Sequence, residues 1–409
     1  MATVVNVGDK ANKPDRVCDR LTCTGCGACT AVCPVNCIEM ATDAEGFFYP
    51  KIEASKCIGC KKCRKICPSI NNRKWQEDCE TEAFVFKNHN AVALSKSSSG
   101  GFVSAVAEWA FAKGGVVFSC KYDEKFRAVF DKAESAAELE AMRGSKYVES
   151  IAWTVYPEIK QSLNQGRLVV FIALPCQIAG LLACLSEKER QNLVTVDILC
   201  HGVPAHTLFE SYLAFIAEEK GPVVDYHFRN KKYWGWGCWG TYSYSSDGKN
   251  KEYKLLMEND YYYSLYFKEN NYRESCYRCQ YASLPRIADI TVGDCWKIEE
   301  IDASVKSRDG VSLLLINTKK GGEIFSEIKS AHFSKPIRME DAHKSNKTIT
   351  MPTKRPESRN RFYLEFNQSG FKETAAKYCK LKHITPVLAR HLPRNLKKNV
   401  KKIVKRGKA

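Results

Sequence analysis

The sequence predicts an α+β (or α/β) protein of two unequal domains: a small cysteine-rich module at the N-terminus, then a larger domain of mixed sheet and helices. Three observations lead there. A cysteine motif occurs twice, with Cys57 thirty-four residues after Cys23; apolar runs alternate with helix-like segments after residue 80; and 409 residues exceed one ordinary domain. The expected limits are 14–75 for the module, 82–335 for the large domain and 336–409 for an extension with a basic tail.

The first element is the stretch from Cys18 to Cys67, dense in Cys, Gly and Pro. The polar segment 71–78 follows, and Ala83-Phe-Val-Phe86 reads as the first strand of the large domain. Within that domain the apolar runs 115–118, 167–173 and 193–199 read as strands, and 102–113, 136–142, 177–185 and 207–219 as helices. The aromatic region 233–253, with Ser246-Asp-Gly as its turn, reads as a hairpin able to cover a cofactor.

Composition narrows the function. Apolar residues make up 44% and aromatics 11%, as in soluble globular proteins. The longest apolar stretch, 168–174, falls far short of the roughly 20 residues a membrane-spanning helix needs. The N-terminus shows no secretory pattern, so the expected location is the cytoplasm. Twenty cysteines in such a chain point to metal ligation rather than disulfides. The net charge is +17, but residues 377–409 hold twelve Lys or Arg and no acid, which leaves only about five excess cations elsewhere. No nucleic acid is expected as a partner.

The motifs are Cys23-Thr-Gly-Cys26-Gly-Ala-Cys29-Thr-Ala-Val-Cys33-Pro and Cys57-Ile-Gly-Cys60-Lys-Lys-Cys63-Arg-Lys-Ile-Cys67-Pro. Three thiolates at this spacing fold round one 4Fe-4S cube, and the fourth ligates the cluster of the other motif. One cluster therefore takes Cys23, Cys26, Cys29 and Cys67, and the other Cys57, Cys60, Cys63 and Cys33. Zinc knuckles give no reason for two complete quartets each followed by Pro. Cys18 and Cys37 fall outside the quartets as free thiols. The module resembles two-cluster bacterial ferredoxins.

In the large domain several short patterns occur in order: Lys96-Ser97-Ser98-Ser99-Gly100-Gly101, Gly144-Ser145-Lys146-Tyr147-Val148, Leu174-Pro-Cys176-Gln-Ile, Cys200-His201-Gly-Val-Pro, Cys276-Tyr-Arg-Cys279 and Ala288-Asp289-Ile-Thr-Val-Gly-Asp294. Together they resemble the beta subunits of the coenzyme F420 hydrogenase/dehydrogenase family. The resemblance implies an FAD enzyme in which iron–sulfur clusters exchange electrons with the flavin, and the flavin exchanges hydride with a deazaflavin or another small organic substrate. On physical grounds Ser97 to Gly101 offer donors at a helix N-terminus to a diphosphate, with Lys96 adding charge; ordinary helix capping is the alternative. Gly144, Ser145, Lys146 and Tyr147 are expected to approach the flavin, or to form a plain loop. Cys176, Cys200, Cys276 and Cys279 are expected to hold a third 4Fe-4S cluster, against the alternative of buried apolar cysteines, with Cys238 and Cys295 as substitutes. His201 is the candidate proton donor, or a structural histidine. Asp289 and Asp294 are candidates for the ribityl chain or a turn.

After Pro393, Leu396, Val400, Ile403 and Val404 fall at helical spacing among lysines, which predicts a basic amphipathic helix or a solvated terminus. Such a helix suits an anionic membrane surface, placing the chain peripherally at the inner face of a membrane. The expectation is a flavin- and iron–sulfur-dependent oxidoreductase with an electron donor or acceptor protein as partner; a non-catalytic electron-transfer subunit is the rival reading.

Overall fold

The computed structural model describes residues 15–71 and 80–381; the basic helix expected after Pro393 lies outside them. In the N-terminal module the two motifs fold alike. Each enters a one-turn helix, Ala28–Ala31 or Lys62–Ile66, through left-handed backbone at matching positions: Gly25 and Gly59, then Gly27 and Lys61. Glycine takes that conformation freely, whereas a residue with a side chain is disfavoured there by about 1–2 kcal/mol. The antiparallel hairpin Ile38–Thr42 and Phe48–Ile52 packs Ile38 and Ile52 among the cysteines.

The large domain is built on a nine-stranded mixed sheet. Its spatial order is Phe333–Ile337, Glu82–Lys87, Ser312–Ile316, Ile290–Asp294, Leu193–Ile198, Val169–Ala173, Val116–Tyr122, Ala128–Ala133 and Ser150–Ile151. The four strands from Ile290–Asp294 to Val116–Tyr122 run parallel. Their continuous apolar runs follow from burial on both faces: Val170 and Ile172 join one core with the helix Phe102–Ala112, while Val169, Phe171 and Ala173 join another with Tyr156–Asn164 and Pro175–Cys184. Cys176 and Cys200 follow the carboxyl ends of two adjacent parallel strands, where open α/β sheets place their ligands.

The expected hairpin is present as Trp239–Ser246 and Lys249–Leu256, with Val223–His227 as a third strand. Asp247 and Gly248 both have positive φ, which suits the two-residue turn. An aromatic core joins this sheet to the helices His206–Glu219, Tyr261–Phe267 and Arg359–Tyr378. The last of these lies within 336–409, where the sequence led only to an extension with a basic tail. It kinks at Gly370 and inserts Arg359 fully buried between Glu45 of the module (2.6 Å) and Glu274 (3.1 Å). The strand Phe333–Ile337 also crosses the expected domain limit at residue 335.

Candidate iron–sulfur relay

The ferredoxin thiols act on one another in two overlapping groups. The thiols that act most strongly on Cys29 are Cys26, Cys23 and Cys67, and those that act on Cys63 are Cys60, Cys33 and Cys57. This is the grouping that crossed ligand sets require. The two extra thiols lie against the quartets: Cys18 touches Cys23 and Cys67, and Cys37 lies 3.5 Å from Cys33.

The first motif faces the large domain. A Cβ on Gly27 would stand 2.2 Å from Trp153, and one on Gly180 would stand 2.8 Å from the Cβ of Cys26, so only glycine admits this approach. Tyr156 donates its hydroxyl to the carbonyls of Cys26 and Gln177. Arg273, wholly buried, donates from Nε to the Cys23 carbonyl (2.8 Å), from Nη2 to the Phe48 carbonyl (2.9 Å), and from Nη1 to Glu149 (2.7 Å). Its Nη2 also lies 3.8 Å from the Cys23 sulfur, and its guanidinium stacks 3.9 Å over the Tyr49 ring.

Immediately behind Arg273 is a cavity of about 50 Å³. Cys176, Cys200, Cys276 and Cys279, drawn from three separate chain segments, all line it. Thr24 and Gly25 of the first motif form part of the same wall. That volume exceeds what one water occupies. Burial pushes the Cys276 thiol up to about 12 and raises Cys176, Cys200 and Cys279 as well. Such thiols ionise only when a cation offsets the desolvation, as cluster iron does. Among the described residues no three His, Cys, Asp or Glu side chains converge as ligands of a single ion. The four thiols instead surround a space, an arrangement suited to a polynuclear cluster rather than to tetrahedral zinc. Cys238 and Cys295 do not line the cavity; Cys295 is packed in the apolar core beside Ile298 and Leu313.

The serine- and glycine-rich segments meet around Arg229 and Asp294, the last residue of the strand Ile290–Asp294. Ser145 donates to the Ser98 hydroxyl (2.9 Å), and Arg229 joins the Ser98 carbonyl (3.0 Å), the Tyr147 hydroxyl (3.2 Å) and Asp294 (2.9 Å). Within these segments the residues divide in role. Gly100 is required by the close backbone of Phe86 and Ser312, and Gly101 caps the helix Phe102–Ala112. Ser97 and Ser99 spend their hydroxyls on carbonyls of Leu94, Ser99 and Val311. Lys96 pairs with Glu140 at 2.6 Å, on the surface. Lys146 is buried under the carbonyls of residues 142–144, and Tyr147 is stacked on Tyr266, so neither faces open space. Gly144, at φ +82°, does border it.

Lys231, and not Lys96, is the lysine that reaches the serine segment. Its Nζ donates to the carbonyls of Leu94, Ser99 and Asp309 and to the Ser97 hydroxyl, while burial and the nearby Arg229 push its pKa down to about 7. Trp236 stacks on Trp296 at 4.6 Å and donates to Asp294. Arg229 keeps a buried Nε without a partner. His201 lies on the cavity rim, where burial holds its imidazole below the usual value and Asp294 acts in the opposite direction. Asp289 is taken up structurally by Thr195 and Thr318.

Residues 166–341 match the family described as the C terminus of the coenzyme F420 hydrogenase/dehydrogenase beta subunit, and residues 22–71 match the 4Fe-4S dicluster domain. The chain thus carries a 4Fe-4S dicluster segment followed by a segment similar to the C terminus of coenzyme F420 hydrogenase/dehydrogenase beta subunits. It is similar to one subunit of the F420H2 dehydrogenase of Methanosarcina mazei, 23% identical over 322 residues, covering 75% of this chain and 82% of that protein. It is also similar to the coenzyme F420-dependent sulfite reductase of Methanocaldococcus jannaschii, 24% identical over 338 residues; the match covers 78% of this chain but only 47% of that protein. Among solved structures, a chain of the F420-reducing [NiFe] hydrogenase complex of Methanosarcina barkeri aligns with a TM-score of 0.45 and 14% identity, covering 76% of this chain and 99% of that one. The chain is an iron–sulfur electron-transfer protein related to oxidoreductases. Among its described residues no helix is long and apolar enough to cross a membrane.

Proposed function

We propose that the chain is an iron–sulfur flavoprotein oxidoreductase that passes electrons between its ferredoxin clusters, a third 4Fe-4S cluster and FAD. Its two-electron partner at the flavin is a deazaflavin coenzyme or another small organic molecule. The observation that carries the reading is the cavity: four cysteines from three segments surround one space whose wall includes Thr24 and Gly25 of the first ferredoxin motif. A cluster there continues the relay from Cys23 into the large domain.

The junction of Ser97–Ser99, Gly144, Ser145, Arg229 and Lys231 is the proposed cradle for the FAD. Arg229, with its unpartnered Nε, supplies positive charge for a diphosphate, Lys231 holds the serine loop in place, and Gly144 leaves room beside them. FAD bound there supplies the exchange between one-electron clusters and a hydride carrier. Asp294 bonds Arg229 and acts electrostatically on His201, so it links the cradle to the cluster cavity. His201, kept neutral by its surroundings, is placed at the rim to accept or return a proton. The outlying basic tail is proposed to hold the chain at an anionic surface.

The test is Cys279→Ala in anaerobically purified, reconstituted protein. The expected result is loss of one cluster's iron, about four Fe per chain, with both ferredoxin EPR signals retained and flavin reduction slowed. Unchanged iron content would remove the third cluster. Absence of flavin, with none bound on reconstitution, would replace the enzyme by an electron-transfer subunit.

A further inference from the structure

The two ferredoxin motifs share one backbone, so each serves as the control for the other, and they differ in charge. From Cys23 to Pro34 there is no charged residue, and the first motif packs against Trp153, Tyr156 and the helix Pro175–Cys184. From Lys56 to Ile66 there are five cations, Lys56, Lys61, Lys62, Arg64 and Lys65, and no acid. All five side chains are exposed, although Lys56 pairs with Glu53 at 2.7 Å. Among them Cys60 is itself exposed, and Ile58 is 62% exposed. By contrast Cys23 and Cys29, of the first motif, are buried. Lys61 stands in left-handed backbone where the first motif has Gly27, so the second motif keeps a cation at a position whose geometry favours glycine.

We propose that this basic collar is the docking site of an acidic iron–sulfur carrier protein, and that electrons cross the surface of the chain at the cluster of Cys57, Cys60, Cys63 and Cys33. One electron moves between the carrier's cluster and this one; the carrier loses it as the chain gains it, or the reverse, and no bond or proton is exchanged. The shape of the patch favours a protein carrier over a lipid surface or a nucleic acid. Its exposed cations flank in sequence an exposed apolar residue, Ile58, and the exposed Cys60, the mix of polar and apolar surface of a transient protein interface. Opposite charge on the carrier steers encounter and orients the two clusters, an effect worth about 10- to 1,000-fold in association rate at low salt. The inference rests on the ferredoxin clusters and does not require the flavin.

The experiment mixes the full, cluster-loaded chain anaerobically with a pre-reduced acidic two-cluster ferredoxin and follows cluster reduction by stopped flow over a range of salt. The rate is expected to fall as salt rises. In Lys62→Glu/Arg64→Glu it should drop about tenfold or more at low salt and lose its salt dependence. Lys62→Gln/Arg64→Gln, gentler on the neighbouring Cys63, should fall between. Lys319→Glu/Lys329→Glu, on the exposed side of a distant helix, should leave the rate within about twofold. Iron content and the dithionite-reduced EPR spectrum must stay unchanged in every variant, which separates docking from cluster loss. A collar variant with intact clusters that accepts electrons at the unaltered rate would overturn the proposal. So would an unaltered carrier rate together with collar-dependent sedimentation on anionic vesicles.

Discussion

Replacing Arg273 by Met should loosen the contact between the ferredoxin module and the large domain and lower the potential of the first cluster. The side chain is 1% exposed and its partner Glu149 7%. Removing one member of a buried ion pair typically destabilises by about 3–5 kcal/mol, because the other charge is left unpaired. Glu149 would retain the Phe48 N–H at 3.1 Å and His206 at 3.3 Å, so the lower end, about 3 kcal/mol, is expected. The Cys23 and Phe48 carbonyls would also lose their buried donors. Glu149→Gln in the same background should recover part of the loss, the sign of direct coupling in a double-mutant cycle. Anaerobic urea unfolding of the full chain measures the first effect. EPR-monitored redox titration measures the second, since a cation and N–H donor beside the Cys23 sulfur favour the reduced, more negative cluster. A change within about 0.5 kcal/mol and an unmoved potential would refute the reasoning.

Cys67→Ala should damage the cluster held by Cys23, Cys26 and Cys29; iron analysis and EPR showing loss confined to the cluster of Cys57, Cys60 and Cys63 would reverse the ligand assignment. Asp260, fully buried and bonded to Tyr212, has its pKa raised to about 6 by desolvation. Because the folded state then binds the proton more tightly than the unfolded chain, this group's contribution to stability falls by about 1 kcal/mol from pH ~5 to pH ~7, and Asp260→Asn should flatten that part of the urea-midpoint profile. Deletion after Pro393 should abolish salt-sensitive sedimentation with anionic vesicles, and equal sedimentation of intact and truncated chains would assign the tail another role.

The parts of this molecule readable in sequence are those set by local spacing. The quartets, the buried parallel strands and the Asp247-Gly248 hairpin each follow from residues a few positions apart. The convergence of Cys176, Cys200, Cys276 and Cys279 was readable as a set of motifs, but their common cavity depends on the adjacent strands Val169–Ala173 and Leu193–Ile198. Arg273, Arg359, Glu149 and Glu45 left no signal, since a buried arginine looks like a surface one until its distant carboxylate is known. Lys96 was the more visible cation because it adjoins the serines in sequence, whereas Lys231 reaches them from 134 residues away at Ser97. The helix Arg359–Tyr378 was obscured by Gly370 and by the polar run before it, which interrupt the apolar periodicity.

The most direct test of the relay is the cofactor content of the chain purified and reconstituted without oxygen, with iron and acid-labile sulfide measured beside extracted flavin. Three clusters, about twelve Fe per chain, and one FAD are predicted. About eight Fe and no flavin would contradict both the third cluster and the flavin cradle, leaving a two-cluster electron carrier.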